Sequence, residues 1–160
     1  MKKLLPVILV LLFVLVLHAF ADLERGWDAF YKKDYATALK EWKPLAEGGD
    51  ADAQVNLGDL YSIGFGVPKD KTEAVKWYRL AAEQGHARAQ TNLGVMYDKG
   101  HGVPEDDVYA YTWFNIASSL GNKNATENKQ RVERWMSRHQ VEEAQVLSRK
   151  CLNSNYEDCK

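Results

Sequence analysis

Few residues of this 160-residue chain could take part in chemistry, and their spacing can be tested against known arrangements. Two cysteines, Cys151 and Cys159, stand eight residues apart near the C-terminus. Beyond residue 21 there are three histidines, His86, His101 and His139, and their spacing matches no set of metal ligands. The chain contains no S-x-x-K, H-E-x-x-H or G-x-S-x-G sequence. We therefore expect no catalytic residues, no metal and no cofactor.

The two cysteines can form a disulfide only if the helix that carries the first one ends between them. Eight residues of continuous helix separate two Cα atoms by about 12 Å, whereas a disulfide requires about 7 Å or less. Residues Asn153, Ser154 and Asn155 favour a turn at this point. The first 21 residues have the layout of an export signal, and an even number of cysteines in an exported protein favours pairing. The alternative is two free thiols in a frayed tail.

A second kind of chemistry, the binding of a polypeptide, is suggested by two nearly identical stretches. AEGGDADAQVNLGDLY (46–61) and AEQGHARAQTNLGVMY (82–97) share ten of sixteen positions, among them Asn56 and Asn92. An amide both donates and accepts hydrogen bonds, so two of them could clamp an extended or helical segment. The alternative is that both asparagines join neighbouring loops within the protein. We predict a protein-binding groove formed by Asn56, Asp59, Ile63, Asn92, Val95 and Lys99.

These residues belong to a repeat with a period of 36 residues. Periods of this size mark stacked supersecondary units, because no single unit can bury its own apolar face. The positions that recur at this period are Asp34, Asp70 and Asp106; Ala38, Ala74 and Ala110; Trp42, Tyr78 and Phe114; and Gly49, Gly85 and Gly121.

Each unit is predicted to consist of two helices. In the first helix, apolar residues recur at i, i+4, i+7 and i+8 from Ala53, which gives one apolar stripe. The second helix is predicted to begin with a capping box of Asp70 and Glu73 and to end before Gly85. Glycine inside a helix costs about 1 kcal/mol relative to alanine. Gly58 and Gly94, one in each first helix, therefore indicate close packing against a neighbouring helix or aromatic ring.

These features together resemble the Sel1-like repeat family, which is related to the tetratricopeptide repeats. The stretches that carry the resemblance are AQVNLGDLYSIGFGVPKDKTEAVKWYRLAAEQG (53–85) and AQTNLGVMYDKGHGVPEDDVYAYTWFNIASSLG (89–121). The resemblance implies an all-α fold, an α-solenoid of antiparallel helix pairs whose concave face holds other proteins. The C-x7-C spacing also resembles the helix-to-helix staples of secreted, cysteine-rich members of this family.

The family pattern changes towards the C-terminus. Lys129, Gln130 and Glu133 stand where apolar or small residues of the preceding repeats would recur. Such a unit cannot receive another full repeat, and polar terminal units keep a solenoid soluble. After Ser137, a predicted N-cap, one last amphipathic helix is expected to pack back on the repeats. We expect about eight helices, divided into a tetratricopeptide-like unit (22–52), two repeats (53–88 and 89–124) and C-terminal capping helices (125–160).

The first 21 residues have the layout of a secretory signal peptide. Lys2 and Lys3 precede an apolar run, Leu4–Leu17, and Ala19-Phe20-Ala21 fits a cleavage site. The run is shorter than the roughly 20 residues that a membrane-spanning helix requires. Cleavage after Ala21 predicts a periplasmic or secreted protein without a stable membrane span. The alternative is an uncleaved membrane anchor.

The charge distribution gives no sign of a nucleic-acid partner. The signal segment holds two of the 21 basic residues and none of the 22 acidic ones, so the mature net charge is about −3. Without a basic stripe there is little to neutralise phosphates. We expect a monomeric, non-enzymatic scaffold that holds a partner polypeptide on its concave face. The alternative, implied by some cysteine-rich relatives, is an enzyme that acts on β-lactams or cell-wall fragments.

Overall fold

The computed structural model describes residues 21–157 and residue 159, and within them the chain forms eight helices and no strand. The predicted signal peptide therefore lies, apart from Ala21, outside the described residues. The prediction of an all-α fold is confirmed. The helices are α1 (21–31), α2 (Tyr35–Glu47), α3 (Ala51–Ile63), α4 (Lys71–Ala82), α5 (Ala87–Lys99), α6 (Asp107–Ser119), α7 (Lys123–Glu133) and α8 (Arg138–Asn153). None of the helices in this part of the chain combines the length and the apolarity that crossing a membrane requires.

The second helix of each unit begins at an aspartate of the 36-residue series. Asp34, Asp70 and Asp106 each accept a hydrogen bond from the backbone N–H three residues further along, at 2.9–3.1 Å. This satisfies one of the free amides at a helix start. The predicted capping box at Asp70 is only half formed, because the Glu73 carboxylate accepts from Lys76 Nζ at 2.7 Å instead of reaching back.

The helices of one unit are held together where a glycine faces an aromatic ring. A Cβ atom added at Gly58 would lie 2.6 Å from the ring of Tyr78, and one added at Gly94 would lie 2.6 Å from the ring of Phe114. Both rings are buried. The ring of each second helix thus occupies the space that a side chain on the first helix would take, as predicted.

Successive units are joined by the glycine-rich loops. Gly66, with φ +72°, lies against the backbone of Tyr35, the first residue of α2. Gly102, with φ +77°, lies in the same way against Lys71, the first residue of α4. A Cβ atom at either glycine would overlap that backbone, and positive φ is a conformation that glycine adopts without penalty. Each loop therefore packs on the second helix of the preceding unit.

Burial is continuous along the stack. The predicted apolar stripes are buried, and Leu57 and Leu93 are both 0 % exposed. The side chains of α1, α2 and α3 form an N-terminal cluster around Trp42 and Leu60, and a larger cluster extends from Val55 to the C-terminal tail. The stacking of helix pairs expected from the repeat is therefore present.

The last helix, α8, packs against α6, as expected for a helix that closes the array. Ala144 and Ser148 on α8 are fully buried. The hydroxyls of Thr112 and Ser148 donate within their own helices, to the carbonyls of Val108 and Ala144, both at 2.7 Å. Across the contact they lie 3.3 and 3.4 Å from the carbonyls of Ala144 and Thr112. Small side chains let the two helices come close. A capping box at the start of α8 joins Ser137 and Gln140.

The chain reverses directly after α8. The helix ends at Asn153, and Asn155 and Tyr156 have positive φ values of 52° and 70°. This turn brings Cys151 and Cys159 to a Cα–Cα distance of 4.4 Å, and the two residues form a disulfide. Both are buried. The turn lies where the sequence predicted it.

Candidate protein-binding face

The six residues predicted to form a groove lie on two neighbouring first helices, three on α3 and three on α5. Their accessibility differs widely. Ile63 is 52 % exposed and Lys99 is exposed, whereas Asn56 is only 2 % exposed. Asp59, Asn92 and Val95 are partly buried. The surface that a partner can reach therefore lies towards the C-terminal ends of α3 and α5.

A carboxylate at the centre of this face joins three helices. Oδ1 of Asp59 accepts from the Tyr78 hydroxyl of α4 at 2.6 Å and from Nδ2 of Asn92 of α5 at 3.2 Å. Its Oδ2 accepts from Arg88 of α5 at 2.9 Å. The same guanidinium donates to Oδ1 of Asn56 at 2.8 Å. We call these five residues the Asp59 cluster.

Burial and a neighbouring charge keep Tyr78 in the Asp59 cluster protonated. Burial raises the pKa of Tyr78, and the negative charge of Asp59 beside it raises that pKa further. The phenol therefore stays protonated and keeps donating to Asp59. The positive charge of Arg88 lies 2.9 Å from the carboxylate and balances its charge.

Asn56 and Asn92 both bond within the protein. They connect α3 with α5, whereas the alternative expected them to join neighbouring loops. The Nδ2 atom of Asn56 is buried and has no hydrogen-bond partner among the described atoms. Binding of a peptide by these amides stays a prediction, and for Asn56 it would require the side chain to become accessible.

A second polar link joins α5 to α7. The Asp98 carboxylate accepts from both terminal nitrogens of Arg131, at 3.1 and 2.9 Å, and lies 3.2 Å from Lys99 Nζ. The Asp98 side chain is only 7 % exposed. Burial alone would raise the pKa of Asp98, but the hydrogen bonds and charges of Arg131 and Lys99 outweigh it and lower that pKa. One of the six predicted groove residues, Lys99, is thus partly engaged.

The sequence analysis missed Trp135, the most exposed large apolar side chain of the described chain at 82 %. It follows Ile63 and Lys99 at the 36-residue period and lies just after α7. This relation was not recognised in the sequence because the polar residues of α7 end the apolar pattern that defines a repeat. Extending the 36-residue period by one more unit would have identified Trp135.

Other candidate residues do not form a site. Trp77 and Trp113 lie one period apart on second helices, but they form no aromatic surface patch, because Trp113 is fully buried and Trp77 is partly buried. His86 caps α5, because its Nδ1 accepts a hydrogen bond from the backbone N–H of Ala89 at 3.3 Å. Its Nε2 lies 3.0 Å from the carboxylate of Asp52. Within residues 21–157, no three histidine, cysteine or acidic residues are grouped as metal ligands would be.

Stacked helix pairs, joined by glycine loops and sharing a face of first helices, define a helical repeat scaffold. The Sel1 repeat family matches this chain at residues 51–86 and 87–122. The Sel1 repeat protein from Oxalobacter formigenes is 35 % identical over 70 % of this chain and 87 % of its own, with a TM-score of 0.64. The chain therefore belongs to the Sel1 repeat family.

A second solved structure is similar over a larger part of the chain. It is a protective antigen present in uropathogenic Escherichia coli strains, which displays an SLR fold. The two proteins are 34 % identical over 86 % of this chain, with a TM-score of 0.81. This chain spans 31 % of the length of that antigen. No curated protein matches the chain.

Proposed function

We propose that this protein is an exported, monomeric scaffold that holds a partner polypeptide on the face of its first helices and has no enzymatic activity. The single observation that carries the proposal is the equivalent placement of three residues, which we call the first-helix row. They are Ile63 and Lys99, the last residues of α3 and α5, and Trp135, just after α7. These residues recur at one repeat phase, and two of them present large apolar side chains to solvent. Exposed tryptophan is enriched among the residues that dominate binding at protein interfaces.

The Asp59 cluster supports this proposal by keeping the face rigid. Hydrogen bonds from α4 and α5 converge on one carboxylate of α3. The Arg131–Asp98 pair continues the connection to α7. A face that is already ordered loses little conformational entropy when a partner binds, and this favours affinity.

Export is part of the proposal and is supported by two features of the sequence and the structure. The first 21 residues follow the three-part layout of a secretory signal. A disulfide closes the tail, and disulfides persist in oxidising compartments. We propose that the protein acts in the periplasm or outside the cell after cleavage behind Ala21.

The function is tested by crosslinking and affinity capture with the tagged mature protein in envelope extracts of the native cell. We expect one partner to be captured reproducibly, and we expect the variant Ile63→Ser with Trp135→Ser to bind the purified partner at least about 10-fold more weakly. Loss of two interfacial apolar anchors accounts for a change of this size. Binding is measured by surface plasmon resonance.

The matched control is Leu80→Ser with Leu120→Ser, since these leucines are 46 % and 48 % exposed and lie elsewhere. The control should bind like the unmodified chain. Equal losses in both variants would place the interface outside the first-helix row. Turnover of a β-lactam reporter or a peptidoglycan fragment without any protein partner would overturn the proposal in favour of an enzyme.

A further inference from the structure

A second surface, away from the row of first helices, has the shape of a binding groove. It has a volume of about 1140 Å³ and lies between the start of α6 and the exposed side of α8. Residues 105–109 form one wall, and the first three turns of α8 form most of the other. Val146 on the α8 wall is 56 % exposed. We call it the α6–α8 groove.

The repeat explains why this groove is open. In the two preceding units, a glycine loop of the next unit lies on the start of the second helix, Gly66 on Tyr35 and Gly102 on Lys71. The corresponding first residue of α6 is Asp107. The position 36 residues after Gly102 is Arg138, at the start of α8, and no glycine loop follows. No glycine loop lies on this surface at its third occurrence, and the α6–α8 groove lies there instead.

The lining of the groove is strongly acidic. It contains five carboxylates and one lysine, Lys150. Asp106 is occupied as the cap of α6, and Glu142 pairs with Arg138 at 2.9 Å. The other three carboxylates form no ion pair with any described cationic side chain, and they are Glu105, Asp107 and Glu143.

We propose that the α6–α8 groove binds a basic segment of a partner polypeptide, in which lysine or arginine residues flank an aliphatic side chain. The three unpaired carboxylates would attract the cations, which speeds association and selects the partner. Val146, with Val108 and Leu147 beside it in the lining, offers the apolar contact. This groove does not depend on the first-helix row, so either proposal can fail without the other.

The first test uses the full mature chain and a fluorescein-labelled peptide of about 12 residues in which lysine and leucine form an amphipathic pattern. Fluorescence anisotropy should show saturable binding, and the affinity should fall by about 10-fold between about 50 and about 300 mM salt, because salt screens exposed charges. A peptide with glutamate in place of lysine should not bind. Absence of binding by the lysine peptide would overturn the proposal.

Three charge-removing substitutions locate the binding. Glu105→Gln with Asp107→Asn and Glu143→Gln should weaken binding by about 10-fold, since each exposed pair contributes modestly. The matched control, Glu24→Gln with Asp28→Asn and Glu127→Gln, removes the same charges at exposed positions outside the groove. It should change binding by less than about 2-fold. Equal losses of peptide affinity in both triple variants would show that only the net charge of the protein matters. That result would overturn the proposal.

An apolar substitution tests the groove without changing its charge. Val146→Ser should weaken peptide binding by about 3-fold, as expected for removal of part of an apolar contact. Leu80→Ser, at a similarly exposed position on α4, should have no effect. If circular dichroism shows that the triple variant does not fold, the comparison of Val146→Ser with Leu80→Ser tests the proposal by itself. Equal peptide affinities of these two variants would overturn it.

Discussion

Single residues set the distance between the two helices of each repeat. Gly58 and Gly94 allow the rings of Tyr78 and Phe114 to lie directly against the backbone of the first helix. In the N-terminal unit, Gly26 faces the ring of Trp42 in the same way. The contact therefore recurs in three units, including the N-terminal unit, whose two helices are joined without a glycine-rich loop.

Gly94→Ala should destabilise the protein by about 1–3 kcal/mol, because the new Cβ would overlap the Phe114 ring in a packed core. This sign is opposite to that of helix propensity, which alone would stabilise by about 1 kcal/mol. Urea unfolding followed by circular dichroism measures the change. In a chain that already carries Phe114→Leu, adding Gly94→Ala should destabilise the protein less than it does in the unmodified chain. An increase in stability for Gly94→Ala would show that the ring does not limit the contact.

Some contacts of single side chains could be predicted from the sequence and others could not. A glycine inside a helix predicts a close neighbour, and the period of 36 residues supplies an aromatic partner. The partners of Asn56 and Asn92 could not be predicted in this way. Arg88 bonds Asn56 and Asp59, yet its counterpart in the preceding repeat is Asp52, so the repeat pattern gives no hint of the cluster.

At the scale of helices, the polar face of α7 is attached to α5 by one buried carboxylate. Asp98 is bonded by both terminal nitrogens of Arg131, whose side chain is partly exposed. Such two-point pairing fixes the relative position of the helices as well as contributing energy. The polar residues that end the repeat pattern thus do not leave α7 loosely attached.

Asp98→Asn should lower the free energy of unfolding by about 1.5–3 kcal/mol at pH 7, the range for hydrogen bonds to charged groups. The lowered pKa of Asp98 means that its contribution is complete above the unfolded value of about 3.9 and is lost as the pH falls through the folded value. The difference between the two proteins should therefore shrink below about pH 4. Urea unfolding at a series of pH values from about 3 to about 7 measures this difference.

Asp28→Asn, at an exposed position of α1, serves as the control and should leave stability unchanged at every pH. A difference between Asp98→Asn and the unmodified chain that stays constant down to pH values of about 3 would show that the carboxylate charge is not involved.

Helix types and order followed from the sequence because apolar spacing, capping aspartates and terminal glycines all agree. The face of the first helices was predicted only in part. Its accessible end includes Trp135, which lies after a helix whose composition departs from the repeat. The accessibility of the predicted residues depends on hydrogen bonds between helices. The 36-residue period does not predict those bonds.

At the scale of the whole molecule, the stack is closed at one end by α8 and the disulfide tail. The ring of Tyr156 lies over Gly85, between α4 and α5, so the tail reaches back across the repeats. In repeat proteins each unit contacts mainly its neighbours, and stability is close to a sum of local terms. Weakening the tail should therefore affect the C-terminal helices before the N-terminal ones.

Cys151→Ala with Cys159→Ala should lower the free energy of unfolding by roughly 2–3 kcal/mol, the chain-entropy contribution of so short a loop. Hydrogen exchange followed by mass spectrometry should show faster exchange in α8 and little change in α2 and α3. Reducing agent should reproduce this in the unmodified protein and have no effect on the variant. Uniformly faster exchange in all helices would contradict the local character of the tail.

The loops at Gly66 and Gly102 have a wider consequence for how such a protein can change. They rest on the main chain of the preceding unit, so the rise and rotation from one unit to the next depend on atoms that every amino acid shares. Substitutions on the outward surface can alter what is recognised while the pitch of the array is preserved. Proteins of this kind can therefore acquire new binding specificities while the arrangement of their helices stays the same.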